Sequence, residues 1–333
     1  MTILQKIRHR FTEPSVSVLV TAYQAQAFIC ETLDSLNKQV FKDFQLLISI
    51  DKSDDDTELV IKKWCQEHKN IPTQIFCQTH SLGWIKNINF LLKKCQTKYF
   101  MLLPHDDLLH ETYLQKMVQC LKMNPYACTA FSDIQCFSTG PKKPIITENS
   151  INGKRFERTL EFLTNHFRAV AFRGLVNKDV ISDFKLLPEN DCSNFAIDTV
   201  WVLQMTLKGE LIRVPEILYD KRLHPHGGSV GGSWRKFSEV EKTKAWLEHC
   251  KDCLKIIFRA GFEPEELVRL IEVIKSRLVQ DVNPLGPYRL FNSNEKERDS
   301  LRASLVEQLE KTIIILSESK NYSISQFSLR KNI

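Results

Sequence analysis

Residues 14–51 read PSVSVLVTAYQAQAFICETLDSLNKQVFKDFQLLISID. Residues 16–23 are apolar and β-branched, and residues 44–51 repeat that character, so both segments predict strands that are buried on two faces. Between them, four apolar side chains recur at helical spacing: Phe28, Ile29, Leu33 and Leu36. The stretch therefore predicts a strand, a helix and a second strand, which is the repeating unit of a parallel sheet.

The same alternation continues to about residue 137. Further strands are predicted at residues 73–78, 99–104 and 127–137, and further helices at residues 54–69, 83–95 and 111–125. Alternation with short links predicts a doubly wound, parallel α/β sheet, and ligands of such sheets bind beyond the carboxyl ends of the strands. After a polar break at residues 138–153 the pattern is mixed, and from Glu239 it is mainly helical.

Composition excludes several classes of protein. The chain has 333 residues, of which 43% are hydrophobic and 26% charged, as in a globular protein, and it contains no apolar run long enough for a membrane-spanning helix. The net charge of +6 is spread along the chain, so nucleic acid is not expected as a partner. Ten cysteines without a signal-peptide pattern predict reduced thiols in the cytoplasm, and the single CxxC pair, Cys250 and Cys253, lacks the second pair of a zinc site.

Carboxylates follow the predicted strands at their carboxyl ends. Asp51 ends the second strand, and Asp106 and Asp107 follow the fourth. Two adjacent carboxylates repel each other unless a cation lies near them, and a divalent cation shared with phosphate oxygens meets that need. One of the two could instead cap the next helix. The acidic run after Asp51 is not an EF-hand loop, because Asp56 and Lys62 occupy its required Gly and Glu positions.

Other nucleotide and hydrolase motifs are absent. The sequence contains neither GxGxxG nor GxxxxGK[ST], which argues against a dinucleotide oxidoreductase and a P-loop NTPase, and it contains no GxSxG.

Three ordered segments resemble the family 2 glycosyltransferases, which have the GT-A fold. They are residues 14–51, residues 82–109 (LGWIKNINFLLKKCQTKYFMLLPHDDLL) and residues 195–229 (FAIDTVWVLQMTLKGELIRVPEILYDKRLHPHGGS). The resemblance covers about residues 15–229 and implies a Rossmann-like nucleotide-diphospho-sugar transferase core with a mainly helical C-terminal extension. It also implies a UDP-sugar donor and a saccharide or glycolipid acceptor.

The resemblance assigns roles residue by residue. The donor-binding residues would be Thr21, Tyr23 and Asp51 around the base, Asp106 at the ribose or sugar, Arg222 at phosphate, and Lys86 and Asn89 on the third helix. The cation, Mn²⁺ or Mg²⁺, would be held by Asp107 and His224, with His226 as a weaker candidate. Asp198 would be the general base that deprotonates the acceptor hydroxyl in an inverting displacement.

Several residues also have plainer interpretations. Asp198 opens a predicted helix and could be only its N-cap, and His224 and His226 could be ordinary surface histidines. Lys86 could simply be solvated, whereas Trp84 and Trp234 could stack on a sugar. His105 stands where many members of the family have the first Asp of DxD, which leaves one carboxylate fewer. A catalytically impaired nucleotide-sugar-binding protein and a sugar-phosphate nucleotidyltransferase are therefore kept as alternatives.

The remaining predictions concern organisation. We expect a basic arm at residues 1–14, a nucleotide-sugar-binding half at 15–137, an acceptor-binding half at 138–234 with a mobile Gly-rich lid, and a helical region at 235–333. QxxRW, the signature of processive synthases, is absent, so addition of a single sugar is expected. The C-terminal helices would pack on the catalytic part or on a second copy. With the basic arm they leave open a peripheral contact with the inner face of a membrane.

Overall fold

A computed structural model describes residues 14–138, 144–166, 168–181, 186–224, 237–279, 295–320 and 322. Its first half is a parallel sheet built from β1 (Val16–Ala22), β2 (Phe44–Ile50), β3 (Thr73–Cys77) and β4 (Tyr99–Pro104), in the order β3-β2-β1-β4. The register pairs Ala22 with Ile50 and Thr21 with Pro104, so these strands end together at one edge. That edge is where the sequence predicts the ligand.

The second half of the sheet is mixed: the predicted fifth strand runs parallel to the first four, but a short antiparallel strand that the sequence did not reveal lies between them. It contains β5 (Leu108–Leu109), β6 (Ala127–Phe137), β7 (Ile145–Ile146), β8 (Leu175–Asn177) and β9 (Glu210–Arg222). Short β8 lies between β4 and β6 and is antiparallel to both, whereas β9 runs parallel to β6. A 3₁₀ turn, Val170–Arg173, directly precedes β8 and leads the chain into the sheet antiparallel to both neighbours.

Amphipathic helices cover the sheet, as the apolar spacing predicts. They are α1 (Ile29–Asn37), α2 (Thr57–Glu67), α3 (Trp84–Lys94) and α4 (Tyr113–Met123). Helix α1 buries Ile29, Leu33 and Leu36 completely, and these residues join the same core as the strand residues Val18 and Leu47. The apolar stripe is therefore what fixes each helix to the sheet.

The C-terminal helices pack on the preceding α/β part of the chain. Helix α8 (Pro264–Val279) contacts α5 (Arg155–Asn165), and α7 (Glu239–Ala260) contacts α6 (Ile197–Thr206), while α9 (Glu295–Glu318) packs on α7 and α8. Cys250 and Cys253 are buried in this interface, and all ten cysteines are free thiols. Among the described residues, no helix has the length and apolarity needed to cross a membrane.

Candidate active site

Asp51 anchors the loop that precedes α3. Its Oδ1 accepts hydrogen bonds from the backbone N–H groups of Leu82 (2.8 Å) and Lys52 (3.0 Å), and its Oδ2 accepts from Gly83 N–H (2.9 Å) and the Ser81 hydroxyl (3.3 Å). The residue is only 4% exposed. The carboxylate thus holds residues 81–83 at the carboxyl end of β2, and the bond to Ser81 is the longest of the four.

The loop after β1 forms the neighbouring wall. Tyr23 is 40% exposed and directly follows β1, while Thr21 is half-buried within it. The carbonyl of Thr21 lies 3.2 Å from His105 Nδ1, so a neutral His105 donates from that nitrogen. Thr21, Tyr23 and Asp51 therefore lie along one edge, at the ends of β1 and β2, in the places the sequence predicts.

Asp106 and His224 form a close pair across two elements. Nε2 of His224 lies 2.7 Å from Asp106 Oδ2, and Asp106 is 2% exposed. The His224 ring stands edge-on to Phe28, with ring centroids 5.1 Å apart. The sequence paired His224 with Asp107, whereas in the structure the carboxylate beside His224 is that of Asp106.

Asp107 points into the protein instead. Its Oδ2 accepts a hydrogen bond from the Tyr219 hydroxyl (2.7 Å) and lies 3.6 Å from Arg173 Nε, and its Oδ1 accepts from the backbone N–H of Arg222 (2.9 Å). Burial raises the pKa of Asp107, and the charge of Arg173 opposes that rise. Both carboxylate oxygens are engaged by the protein, which makes Asp107 a brace between β9 and the loop after β4.

Arg222 is also committed to the protein. Its guanidinium lies over the rings of Phe137 (4.6 Å to the centroid) and Phe28 (5.0 Å), and it donates to Glu31 Oε2 (2.7 Å) and to the Asp106 carbonyl (3.1 Å). The side chain thus holds the end of β9, and with it His224, against the loop that carries Asp106. The role at phosphate that the sequence suggested would require Arg222 to leave these partners.

Asp198 lies in the first turn of α6. Its Oδ1 accepts from Thr199 N–H (2.9 Å), and its other oxygen has no hydrogen bond to the described part of the chain. The residue before this helix, Ala196, has a φ of 54°, a left-handed conformation that costs a non-glycine residue free energy. Asn190 ties this turn together by donating to the Phe195 carbonyl (3.1 Å). Asp198 is therefore half-buried with one carboxylate oxygen available.

Two cations that the sequence did not single out lie between these acidic groups. Burial lowers the pKa of Arg173, but nearby acidic groups, Asp107, Asp198 and Asp106 among them, outweigh burial and raise it above its ordinary value. The charge of Arg173 and, next, burial lower the pKa of Lys221 to about 8. The charges of Asp107 and Asp198 oppose this fall. Of these carboxylates, Asp107 lies beside Arg173, with 3.6 Å between Asp107 Oδ2 and Arg173 Nε. Arg173 lies in a segment without any recognised motif, so the sequence did not point to it. Lys221 directly precedes Arg222, which belongs to a motif.

Lys86 and Asn89 lie on α3 and contact the segment that precedes α6. Asn89 donates to the Leu187 carbonyl (2.9 Å) and accepts from the Leu187 N–H (2.9 Å), and Lys86 lies 3.7 Å from Glu189. These contacts tether the segment that leads to Asp198. His226, Trp234, the Gly-rich lid and the basic arm fall outside the described residues.

The donor set suits a divalent cation that arrives with phosphate. Asp106 and His224 offer one oxygen and one imidazole nitrogen, and Mg²⁺ or Mn²⁺ sites of this kind are completed by substrate phosphates and water. The described part of the chain contains no cluster of three or more His, Cys, Asp or Glu side chains that could hold a metal alone. The residues present therefore fit a cation held jointly with a ligand.

Comparison with known proteins gives two likenesses in sequence. The family model described as glycosyl transferase family 2 matches residues 17–183. A protein of Haemophilus influenzae described as an uncharacterized glycosyltransferase is 24% identical over 334 residues, which covers 96% of this chain and 94% of that protein. The family match includes Asp51, Asp106 and Arg173 but ends before Asp198.

Solved structures share the fold. S. aureus TarS 1-349 in complex with UDP-GlcNAc has a TM-score of 0.65 and 15% identity, over 94% of this chain and 89% of that one. Mannosyltransferase PcManGT from Pyrobaculum calidifontis, in complex with GDP-Man and Mn²⁺, has a TM-score of 0.53 and 13% identity, over 94% and 88%. These likenesses confirm the predicted α/β core of the GT-A type with helices in the C-terminal region.

Proposed function

The chain belongs to glycosyl transferase family 2, and from that premise we propose that it moves a single sugar from a UDP-sugar to a hydroxyl of a saccharide or glycolipid, with inversion. The observation that carries this proposal is the Asp106–His224 pair, 2.7 Å apart, at the sheet edge that also bears Tyr23 and Asp51. TarS, a structural neighbour, is described with bound UDP-GlcNAc, which supports a uridine nucleotide as the donor.

We propose Asp106 and His224 as the ligands of Mn²⁺ or Mg²⁺, with Asp107 as the brace behind them. This revises the sequence prediction, because both oxygens of Asp107 already accept hydrogen bonds from the protein. When bound, the cation would stabilise the charge that develops on the leaving diphosphate. Mn²⁺ in the PcManGT complex supports a cation of this kind.

Asp51 keeps its predicted role at the base in this proposal. The N–H of a uracil ring would replace the Ser81 hydroxyl, whose 3.3 Å bond is the weakest of the four on this carboxylate. Thr21 and Tyr23 would line the same pocket. Asn89 and Lys86, through Leu187 and Glu189, would position the acceptor side rather than contact the donor.

Asp198 is proposed as the general base. Its second oxygen has no partner among the described residues, so it is available to accept the proton of an acceptor hydroxyl. The hydroxyl oxygen would then bond to the anomeric carbon as the bond from that carbon to the diphosphate breaks, which inverts the configuration. We further propose that this reaction takes place in the cytoplasm, where the thiols stay reduced.

The test is turnover with a panel of UDP-sugars. With Mn²⁺ we expect UDP release from one donor, a fall to background in EDTA, and a product whose anomeric configuration, read by NMR coupling, is opposite to that of the donor. Retention of configuration would contradict the single displacement. UDP binding without turnover of any sugar nucleotide would favour a binding protein. Consumption of a nucleoside triphosphate would instead favour a nucleotidyltransferase.

A further inference from the structure

Side chains between β2 and the first turn of α2 hold the backbone of the loop after β1. Three consecutive N–H groups of that loop donate to side-chain oxygens of residues 53–57: Gln24 to Ser53 Oγ (3.1 Å), Ala25 to Thr57 Oγ1 (2.7 Å) and Gln26 to Asp55 Oδ2 (3.0 Å). In return, the side-chain oxygen of Gln26 accepts from Asp56 N–H (3.0 Å). The chain is thus fixed over three residues directly after Tyr23.

Asp55 and Thr57 hold this loop as a pair. Thr57 is fully buried, and its hydroxyl donates to Asp55 Oδ1 (2.5 Å) while it accepts from Ala25. A side chain that only capped α2 would accept from N–H groups of that helix, whereas Thr57 Oγ1 accepts from the loop after β1, 32 positions earlier in the chain. Burial would raise the pKa of Asp55, but hydrogen bonds from Thr57 and Gln26 outweigh burial and lower it. The carboxylate is therefore ionised at neutral pH and accepts with both oxygens.

Gln24 shows that these bonds hold the loop against a conformational cost. Its φ of 48° lies in the left-handed region, where a residue other than glycine is strained. Such a conformation persists only where surrounding contacts determine it, and the bonds that the three N–H groups make supply those contacts. Loss of the buried bond to Thr57 would therefore let Gln24 relax, and the neighbouring Tyr23 would move with it.

The conformation of this loop sets where Tyr23 stands relative to Asp51. The N–H of Asp51 donates to the Ala22 carbonyl (2.8 Å), so the chain segments after β1 and β2 leave the sheet side by side. Tyr23 is 40% exposed although Ala22 and Ala25 around it are buried, so much of its ring is open to a ligand. An aromatic ring beside a carboxylate that accepts hydrogen bonds suits a nucleotide base, which has a flat face and N–H groups at its edge.

We infer that Asp55 and Thr57 are positioning residues for the donor, which hold Tyr23 beside Asp51 so that these two groups bind the base of the sugar nucleotide together. This inference rests on the proposed function and deepens it, because it assigns part of base recognition to residues that do not contact the base. The Asp106–His224 pair belongs to other elements, after β4 and β9. Binding of the cation and the diphosphate should therefore depend little on Asp55 and Thr57.

The test compares two probes on the full chain, by calorimetric titration in Mn²⁺: UDP, and inorganic pyrophosphate, which lacks the base. Thr57→Val keeps the size of the side chain but removes the hydroxyl. It should weaken UDP binding about tenfold and change pyrophosphate binding less than about twofold, because only the base loses contacts. Thr57→Ser keeps the hydroxyl and should restore UDP affinity to within about threefold of wild type. Thr164→Val, at an exposed position of α5, is the matched control and should bind UDP normally.

A double variant tests whether Thr57 acts through Tyr23. In a Tyr23→Ala background, Thr57→Val should cost less than about twofold further UDP affinity, since the group that it positions is gone. This comparison decides alone if pyrophosphate binds too weakly to measure. If Thr57→Val does not fold, as judged by circular dichroism, Asp55→Asn takes its place with the same expectation.

Three results would overturn the inference: equal UDP affinity in Thr57→Val and wild type, equal losses for UDP and pyrophosphate, or additive losses in the double variant. Equal losses would mean that Thr57 supports the whole site and not the base pocket. If wild type does not bind UDP, the proposed donor is wrong and the positioning role falls with it. UDP binding that Thr57→Val leaves unchanged would overturn the positioning role alone.

Discussion

Asp106 and Asp107 are adjacent and equally buried, yet their partners give them different tasks. Asp106 faces a histidine at the sheet edge, whereas Asp107 accepts hydrogen bonds from Tyr219 and the Arg222 backbone and lies beside Arg173. The sequence predicts that both carboxylates follow the fourth strand. It could not show which one turns inward, because the deciding partner Tyr219 is 112 residues away.

This difference predicts that the two carboxylates contribute unequally to stability. Asp107→Ala should lower the free energy of unfolding by about 3–5 kcal/mol, because the Tyr219 hydroxyl and the Arg222 N–H lose their acceptor and Arg173 loses its nearest carboxylate. Asp106→Ala should change it by less than about 1 kcal/mol, since Asp106 loses only its contact with a single histidine. Urea denaturation of the two variants measures both values. A larger loss in Asp106→Ala than in Asp107→Ala would show that the assignment of the brace is wrong.

At the scale of elements, the segment that carries Arg173 is held by one glutamate. Glu148 accepts hydrogen bonds from the backbone N–H groups of Arg168 (2.9 Å) and Val170 (2.8 Å) and lies 3.7 Å from the His166 ring. Burial would raise the pKa of Glu148, but the hydrogen bonds from His166 and from these backbone groups outweigh burial and lower it. The ionised side chain therefore fixes the 3₁₀ turn between α5 and β8.

Because the folded-state pKa of Glu148 is depressed, the stability that it contributes is present above its ordinary pKa of about 4.5 and is lost as the pH falls below that value. Glu148→Gln should cost about 1–3 kcal/mol at pH 7, since an amide can accept only with its oxygen. The difference from wild type should shrink between pH 4.5 and pH 3. Urea unfolding across this range measures it, with exposed Glu67→Gln as the control. A difference that stays constant with pH would contradict the role given to ionised Glu148.

Helix α7 contains a second titratable group with a depressed pKa. His249 is fully buried and stacks on Trp246, with ring centroids 4.9 Å apart. Burial, and then the charge of Arg277, lower the pKa of His249 to about 3. The folded protein therefore holds His249 as a neutral ring. The stability that this ring contributes is fully present above the pKa of His in the unfolded chain, about 6.5.

As the pH falls from 6.5 to 5, protonation of His249 in the unfolded chain should therefore lower the free energy of unfolding by about 2 kcal/mol. His249→Phe, which keeps an aromatic ring, should lose this slope, while His80→Phe at an exposed position should keep it. Chemical denaturation at several pH values provides the measurement. An unchanged slope in His249→Phe would mean that other groups cause the acid sensitivity.

The sheet shows which strands can be predicted from local sequence patterns and which cannot. Strands β1 to β4 and their helices follow directly from apolar spacing, and the predicted parallel half is confirmed. The mixed half could not be predicted, because β8 has only three residues and pairs with both β4 and β6 through contacts distant in sequence. Short strands carry too little periodicity to reveal their direction.

At the scale of the whole molecule, the C-terminal helices are joined to the catalytic part by a buried arginine. Arg277 of α8 donates to the carbonyl of Leu163 (2.8 Å) and to that of His166 (3.2 Å) at the end of α5. Its side chain also lies over the Trp246 ring of α7, 5.8 Å from the centroid. The last carbonyls of a helix have no N–H partner within the helix itself, and Arg277 supplies donors to those at the end of α5.

The chain should accordingly unfold in one cooperative transition. Arg277→Met should lower the free energy of unfolding by about 2–4 kcal/mol, because the carbonyls at the end of α5 lose their partner, and it should shift the whole transition. Calorimetry, with exposed Arg259→Met as the control, provides the comparison. Two separate transitions, of which only one moves in Arg277→Met, would show that the helices form an independent unit.

The central claim is that Asp106 and Asp198 act on the two sides of one bound sugar nucleotide. The most direct test measures UDP affinity and the rate of UDP release side by side, in Mn²⁺, for wild type, Asp106→Asn and Asp198→Asn. Asp106→Asn should lose both cation-dependent UDP affinity and turnover, whereas Asp198→Asn should bind UDP as wild type does and lose turnover by about 10²–10⁴-fold. Wild-type turnover in Asp198→Asn, or unchanged Mn²⁺-dependent UDP affinity in Asp106→Asn, would contradict the account.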